Sequence, residues 1–310
     1  MTRSKKLLTV LVPTLLIVST LLLSSCGGGG GGGTTPAANG LISGTAVKGP
    51  VHLATVTAFA ITNGSLGSQI GSGTTDVQGN FNISIGTYSG PVMLQMSGGK
   101  YTDEATNTSM TMQAGDVMTS VIPSVIAGST MSGVQITPLT SMAQARAHTM
   151  IGGMTEANIT AANTAVGTYF SVNDILHTVP INPLVQNSGT ATGVDQNMKN
   201  YGMAIAAMSQ YANALGMPFS SGIITAMMDD ASDGIMDGMM GSTPISMNGM
   251  GGMMGGGMMG GNMQSTAGTS SLATAMTTFI NNGSVNKSGL TTTDMNALIM
   301  KLNRSNGTIQ

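Results

Sequence analysis

The stretch Thr75-Asp76-Val77-Gln78-Gly79-Asn80-Phe81-Asn82-Ile83-Ser84-Ile85 decides how the first half of the chain folds. Phe81, Ile83 and Ile85 alternate with Asn82 and Ser84, the period of two that lets a strand bury one face and wet the other. The same alternation recurs on both sides of it. Val56, Ala58 and Ala60 alternate with Thr55, Thr57 and Phe59, and Val92, Leu94 and Met96 with Met93 and Gln95. Asn63-Gly64 and Gly98-Gly99 supply turn chemistry. Residues 41–137 therefore read as an antiparallel β-sandwich module, with 117–122 and 133–137 as strands that extend it or join it to the next segment.

From residue 138 the period changes. Ile136-Thr137-Pro138-Leu139-Thr140 reads as a switch from strand to helix, and helices are expected over 138–150 and 155–170 with Thr137 and Thr155 as N-caps. The second places Ile159, Ala162, Val166 and Tyr169 on one face. In 194–215, Met198, Tyr201, Ile205, Met208, Ala212 and Leu215 recur at helical spacing and predict a central core helix. Leu272, Met276, Phe279 and Ile280 form another stripe, and Met295, Leu298, Ile299 and Leu302 a last one. The expected class is α+β: a β-sandwich, then an α-helical domain over 138–310 built as a small bundle. A disordered signal and Gly tether precede it, and a disordered Met/Gly-rich loop at 236–263 interrupts the helical part.

Composition excludes several functions. One Cys among 310 residues leaves no intramolecular disulfide, no CxxC pair and no Cys-rich zinc site. There are 10 basic and 12 acidic residues, and removal of Arg3, Lys5 and Lys6 with a leader leaves 7 against 12, so no nucleic acid partner is expected. After residue 25 no apolar run reaches the roughly 18 residues that a membrane-spanning helix requires.

Residues 1–25 have the form of an export signal: Arg3, Lys5 and Lys6, then the apolar stretch from Leu7 to Leu23. Leu23-Ser24-Ser25-Cys26 resembles the bacterial lipoprotein signal, in which a Leu and two small residues precede the lipidated cysteine. That resemblance implies cleavage before Cys26, several acyl chains on it, and a firm membrane anchor. Gly27 in place of an Asp implies, by analogy with enteric sorting, the outer membrane. Residues 26–40 then form a Gly-rich tether spanning on the order of 20 Å.

Lys48-Gly49-Pro50-Val51, Ala54-Thr55-Val56-Thr57-Ala58-Phe59 and Thr75-Asp76-Val77-Gln78-Gly79-Asn80-Phe81 resemble the carboxypeptidase-regulatory-like, or transthyretin-like, β-sandwich of bacterial surface proteins. The likeness covers residues 41–97. It implies a structural or adhesive module with no family active site, in which Asp76 and Gly79 make a turn that delivers Phe81 to the core. The layout as a whole resembles envelope lipoproteins of metal-respiring proteobacteria, a likeness that brings no function with it.

Two segments offer chemistry. Asp229, Asp230, Asp233 and Asp237, with Gly234 and Gly238, could supply oxygen ligands to Ca²⁺, although Ala231 and Met240 stand where an EF-hand loop needs ligands. The other reading is a solvated acidic helix face carrying Asp229, Asp233 and Asp237. The segment 236–263 holds 10 Met in 28 residues, and Met250, Met253, Met254, Met258, Met259 and Met263 offer soft thioether donors for Cu(I). A contact surface, an oxidant sink or a loop without a specific role are its alternatives.

Tyr101-Thr102-Asp103-Glu104 reads as a solvated connection, His52, His148 and His177 as surface or capped histidines, and Arg146 as a solvated or ion-paired side chain, with anion binding near a helix end as its alternative. HExxH, GxSxG and P-loop motifs are missing. The function expected is a non-catalytic, lipid-anchored envelope protein that binds an envelope protein or polysaccharide or supports the envelope. Its alternative is a metal-binding lipoprotein taking Cu(I) or, second, Ca²⁺.

Overall fold

The computed structural model describes residues 38–247 and 261–310. β1 (Gly40–Ala46) is the middle strand of a three-stranded sheet, antiparallel to β4 (Asn80–Gly86) and parallel to β9 (Thr130–Ile136). β2 (Thr55–Thr62), β3 (Ser65–Thr74), β5 (Gly90–Ser97) and β8 (Val117–Val125) form an antiparallel sheet ordered β3-β2-β5-β8. β6 (Lys100–Thr102) and β7 (Ser109–Thr111) add a short hairpin. Ile42, Phe81 and Ile83 from one large sheet and Val56, Leu94 and Met96 from the other share one buried core.

The alternation around Phe81 behaves as its period requires: along β4 every second residue is buried. The Asp76 carboxylate accepts the amides of Gln78 and Asn80 at 2.9 and 2.8 Å, closing the turn that delivers Phe81 inward. Asn63-Gly64 joins β2 to β3, with Thr62 paired to Ser65. The two large sheets meet where β3 passes β4, and there Gly71 is required. A Cβ on it would lie 2.2 Å from the Ser84 carbonyl oxygen.

One pairing departs from the antiparallel reading. After β8 the chain crosses to the other sheet, and β9 therefore runs alongside β1 in the same direction. Met93, expected on the outer face of β5, is also buried. It pairs with Val121 of β8, a strand whose outer face is covered by α1 (Pro138–Thr149) and α2 (Glu156–Tyr169).

Both helices start where their caps predict. The Thr137 hydroxyl accepts the Thr140 amide while the Thr140 hydroxyl accepts the Thr137 amide, a reciprocal capping box, and Thr155 accepts the Asn158 amide. α3 (Gln196–Ala214) is buried almost all round from Asn200 to Ala212, as a helix at the centre of a bundle must be. α4 (Gly222–Ser232), α5 (Ser270–Asn281) and α6 (Asn296–Arg304) complete the helices, with α5 packed on α3 and α6 on α5.

The segment expected as a Met/Gly loop begins with structure. β10 (Met239–Met240) pairs with β11 (Thr243–Pro244), and Met236 and Met263 are buried. The Met236 amide donates to the Gly307 carbonyl at 2.8 Å, and the Met263 amide to the Ile245 carbonyl at 2.7 Å. The β-rich part and the helices belong to one compact unit with a continuous apolar core.

Thr137 joins sheet, helix and core at one point, because its hydroxyl also meets the buried Tyr201 hydroxyl at 2.7 Å. Thr137→Val, which keeps the shape and removes the oxygen, is expected to lower unfolding free energy by about 1–3 kcal/mol in urea titration.

Candidate functional site

β1 ends in the turn Val47-Lys48-Gly49-Pro50, closed by a bridge between Val47 and Pro50. Gly49 has φ +58, and a Cβ there would lie 2.3 Å from the Thr102 carbonyl oxygen, so only glycine lets this turn rest on the end of β6. The contact sets Lys48 beside Asp103 and Glu104. Asp103 is itself fixed by the β6–β7 connection. Its Oδ1 accepts the amides of Ala105 and Thr106 at 3.1 and 3.0 Å and the Thr106 hydroxyl at 3.0 Å.

Lys48, Asp103 and Glu104 are all at most 2% exposed. The ammonium of Lys48 uses its three N–H groups on Glu104 Oε2 at 3.1 Å, Ser209 Oγ at 2.5 Å and Ser220 Oγ at 2.9 Å. Asp103 Oδ2 lies 3.5 Å from the same nitrogen, and the Tyr101 ring centroid 5.1 Å away. Each carboxylate has further donors. Glu104 takes the Gly49 amide on Oε1 and the Ser209 hydroxyl on Oε2, both at 2.5 Å. Asp103 Oδ2 accepts the Ser220 hydroxyl, and Tyr101 in turn meets Ser220 Oγ at 3.2 Å.

The structure overturns the reading of Tyr101-Thr102-Asp103-Glu104 as a solvated connection. These acids are buried because their counter-ion is brought from residue 48 and their hydroxyl donors from α3 and the turn before α4. Burial alone would depress the Lys48 ammonium, but the charges of Glu104 and then Asp103 outweigh it and hold the pKa above the ordinary lysine value. Lys48 is therefore a cation donating hydrogen bonds, and it cannot accept a proton from Ser209 or Ser220. The sequence carries a faint signal: a lysine between Val47 and Gly49-Pro50-Val51, in a chain with few charges.

The acidic segment is divided by the end of α4. α4 stops at Ser232, so Asp229, Asp233 and Asp237 do not share a helix face, and the solvated-face reading fails for the same reason. Asp233 accepts the amides of Ile235 and Gly241, and Asp237 that of Met239. Among the described residues no group of three or more His, Cys, Asp or Glu side chains is arranged to hold a metal ion. The wholly buried member is Asp230, whose Oδ1 accepts the Asp237 and Gly238 amides at 2.9 and 2.6 Å. Its Oδ2 has no hydrogen-bond partner among the described residues. Burial pushes this carboxyl up to about 7.

Arg146 donates to the Ser232 carbonyl at 3.5 Å, a cation at the C-terminal end of α4. His177 pairs with Asp174 at 2.8 Å. Cys26 with Leu23, Ser24 and Ser25, and Met250, Met253, Met254, Met258 and Met259, lie outside the described residues; Met263 is buried. Among the described residues no helix is long and apolar enough to cross a membrane.

Two cavities flank these elements. One of about 160 Å³ adjoins Glu104 and is walled by Pro50, Val179, Pro183, Gly202 and Ile205. Another, of about 380 Å³, lies between the end of α2 and α6 and is lined by Tyr169, Lys301, Arg304 and Ser305.

No family model and no curated protein matches the chain. Among solved structures it is similar to a 9R-lipoxygenase from Cyanothece PCC8801, at 11% identity and a TM-score of 0.21, over 64% of this chain and 25% of that one. So low a score carries no argument about fold or function.

Two buried groups give measurable outcomes. Lys48→Met strands two buried carboxylates and is expected to cost about 3–5 kcal/mol of stability by urea unfolding. Asp230 holds its proton more tightly folded than its ordinary 3.8 allows, so between pH 4 and 7 the folded state binds more protons than the unfolded chain. Stability therefore falls as pH rises through that window. Asp230→Asn should flatten this fall in thermal melts collected across the same range; an unchanged slope would contradict the assignment.

Proposed function

We propose that this protein is a lipoprotein held in the outer membrane through acylated Cys26, and that it acts there as a non-catalytic binding or structural module. The observation that carries the reading is where the chain spends its reactive side chains. Lys48, Asp103, Glu104, Ser209 and Ser220 are each at most 4% exposed and bind one another across the junction of strands and helices. A nucleophile must meet its substrate and give up a proton to a neighbouring base. Here the serines meet an ammonium in a site closed to solvent.

A rigid body on a glycine tether suits a protein that presents a surface at some distance from its membrane. The partner class proposed is an envelope protein or polysaccharide. The cleft carrying Lys301 and Arg304 gives an acidic group on such a partner two cations to meet. Lys301 already donates to Ser171 Oγ at 3.1 Å, which holds its side chain in place.

The anchor is tested by fractionating cells that make the full chain with an alkyne-labelled fatty acid. The wild type is expected in the outer-membrane fraction carrying the label, and Cys26→Ala without label, with its leader uncleaved, and missing from the outer-membrane fraction. An unlabelled wild type, or Cys26→Ala in the outer-membrane fraction, would overturn the proposal.

A further inference from the structure

The buried cluster contains every group needed to make a covalent bond between two of its own members. We propose that Lys48 and Asp103 are joined by an intramolecular amide, formed autocatalytically after folding with Glu104 as proton acceptor and Ser220 as proton relay.

The two reacting groups lie side by side and dry, with Lys48 Nζ 3.5 Å from Asp103 Oδ2 and both residues at most 1% exposed. Proximity of this kind replaces a bimolecular encounter with an internal one. The carboxyl of Asp103 is polarised from both ends. Its Oδ1 already accepts three hydrogen bonds, from Ala105 N, Thr106 N and Thr106 Oγ1, where negative charge develops when nitrogen adds to Cγ. Its Oδ2 accepts the Ser220 hydroxyl, which protonates the oxygen that leaves.

The proton count closes. Lys48 Nζ gives one proton to Glu104 Oε2, 3.1 Å away, and the free amine attacks Cγ of Asp103. A second proton passes from Nζ to Ser220 Oγ, 2.9 Å away, as the Ser220 proton moves to Oδ2. Glu104 returns its proton to the departing hydroxide. The Cγ–Oδ2 bond breaks, the N–Cγ bond forms, and one water leaves; nothing is oxidised or reduced. The cavity beside Glu104 gives that water a place to go.

The carboxylates hold Lys48 as the ammonium, so the reactive amine is a minor species that the irreversible step drains. The product removes two ions from an interior that penalises both. The amide N–H keeps the hydrogen bond to Glu104, which retains the Gly49 amide and the Ser209 hydroxyl. The bond would tie the turn after β1 to the β6–β7 connection and close a covalent loop over residues 48–103, which holds β2 to β6.

Peptide mapping of the full chain, purified from membranes and digested after denaturation, tests this directly. A branched peptide linking Lys48 to Asp103, one water lighter than its two parts, is expected in place of the linear peptides. It should vanish in Asp103→Ala, and also in Glu104→Gln, which retains the electrophile but loses the proton acceptor. Linear peptides alone from the wild type, or a branch carried by Glu104, would overturn the proposal; the wild-type result stands whether or not the variants fold.

Discussion

An ammonium shut away from water must find an acceptor for each of its three N–H groups, and the fold is arranged around that requirement for Lys48. The acceptors come from the β6–β7 connection, the middle of α3 and the turn that opens α4. Each of these elements is therefore fixed relative to the turn after β1. The apolar core continues across the same junction, from Val56 and Leu94 to Ile205 and Met208. Burial supplies the bulk of the driving force and is indifferent to direction. The contacts of the cluster are directional, and they tie the turn after β1 to the β6–β7 connection, α3 and the start of α4.

How much of this is legible in the sequence depends on the range of the interaction. Phe81, Ile83 and Ile85 announce their strand because alternation is local, and Thr137 announces its helix because a cap acts over three residues. The face of α3 is visible for the same reason, although its complete burial is not, since that depends on what surrounds it. The cluster is invisible. Its members are separated by as many as 172 positions, and no spacing rule links residue 48 to residue 220. Asp103 and Glu104 look like ordinary surface acids because the lysine that neutralises them, Lys48, is far away in sequence.

The acidic run at 229–237 shows another limit of local reading. Four carboxylates in nine residues look like a cation site, yet the helix ends after Ser232 and Asp230, Asp233 and Asp237 turn to backbone amides. They cap the start of the methionine-rich segment, whose buried ends at Met236 and Met263 are held by main-chain bonds to neighbouring elements. The resemblance of Leu23-Ser24-Ser25-Cys26 to a lipoprotein signal, by contrast, is purely local in sequence and draws on no fold.

The central claim is that the buried cluster makes strands and helices one cooperative body, and native-state hydrogen exchange measures that directly. Amides in β5 and β8 and those in α3 are expected to open with the same free energy and the same denaturant dependence, as members of one global unfolding event. Two groups, with the helices opening at lower free energy while the strands stay protected, would contradict it.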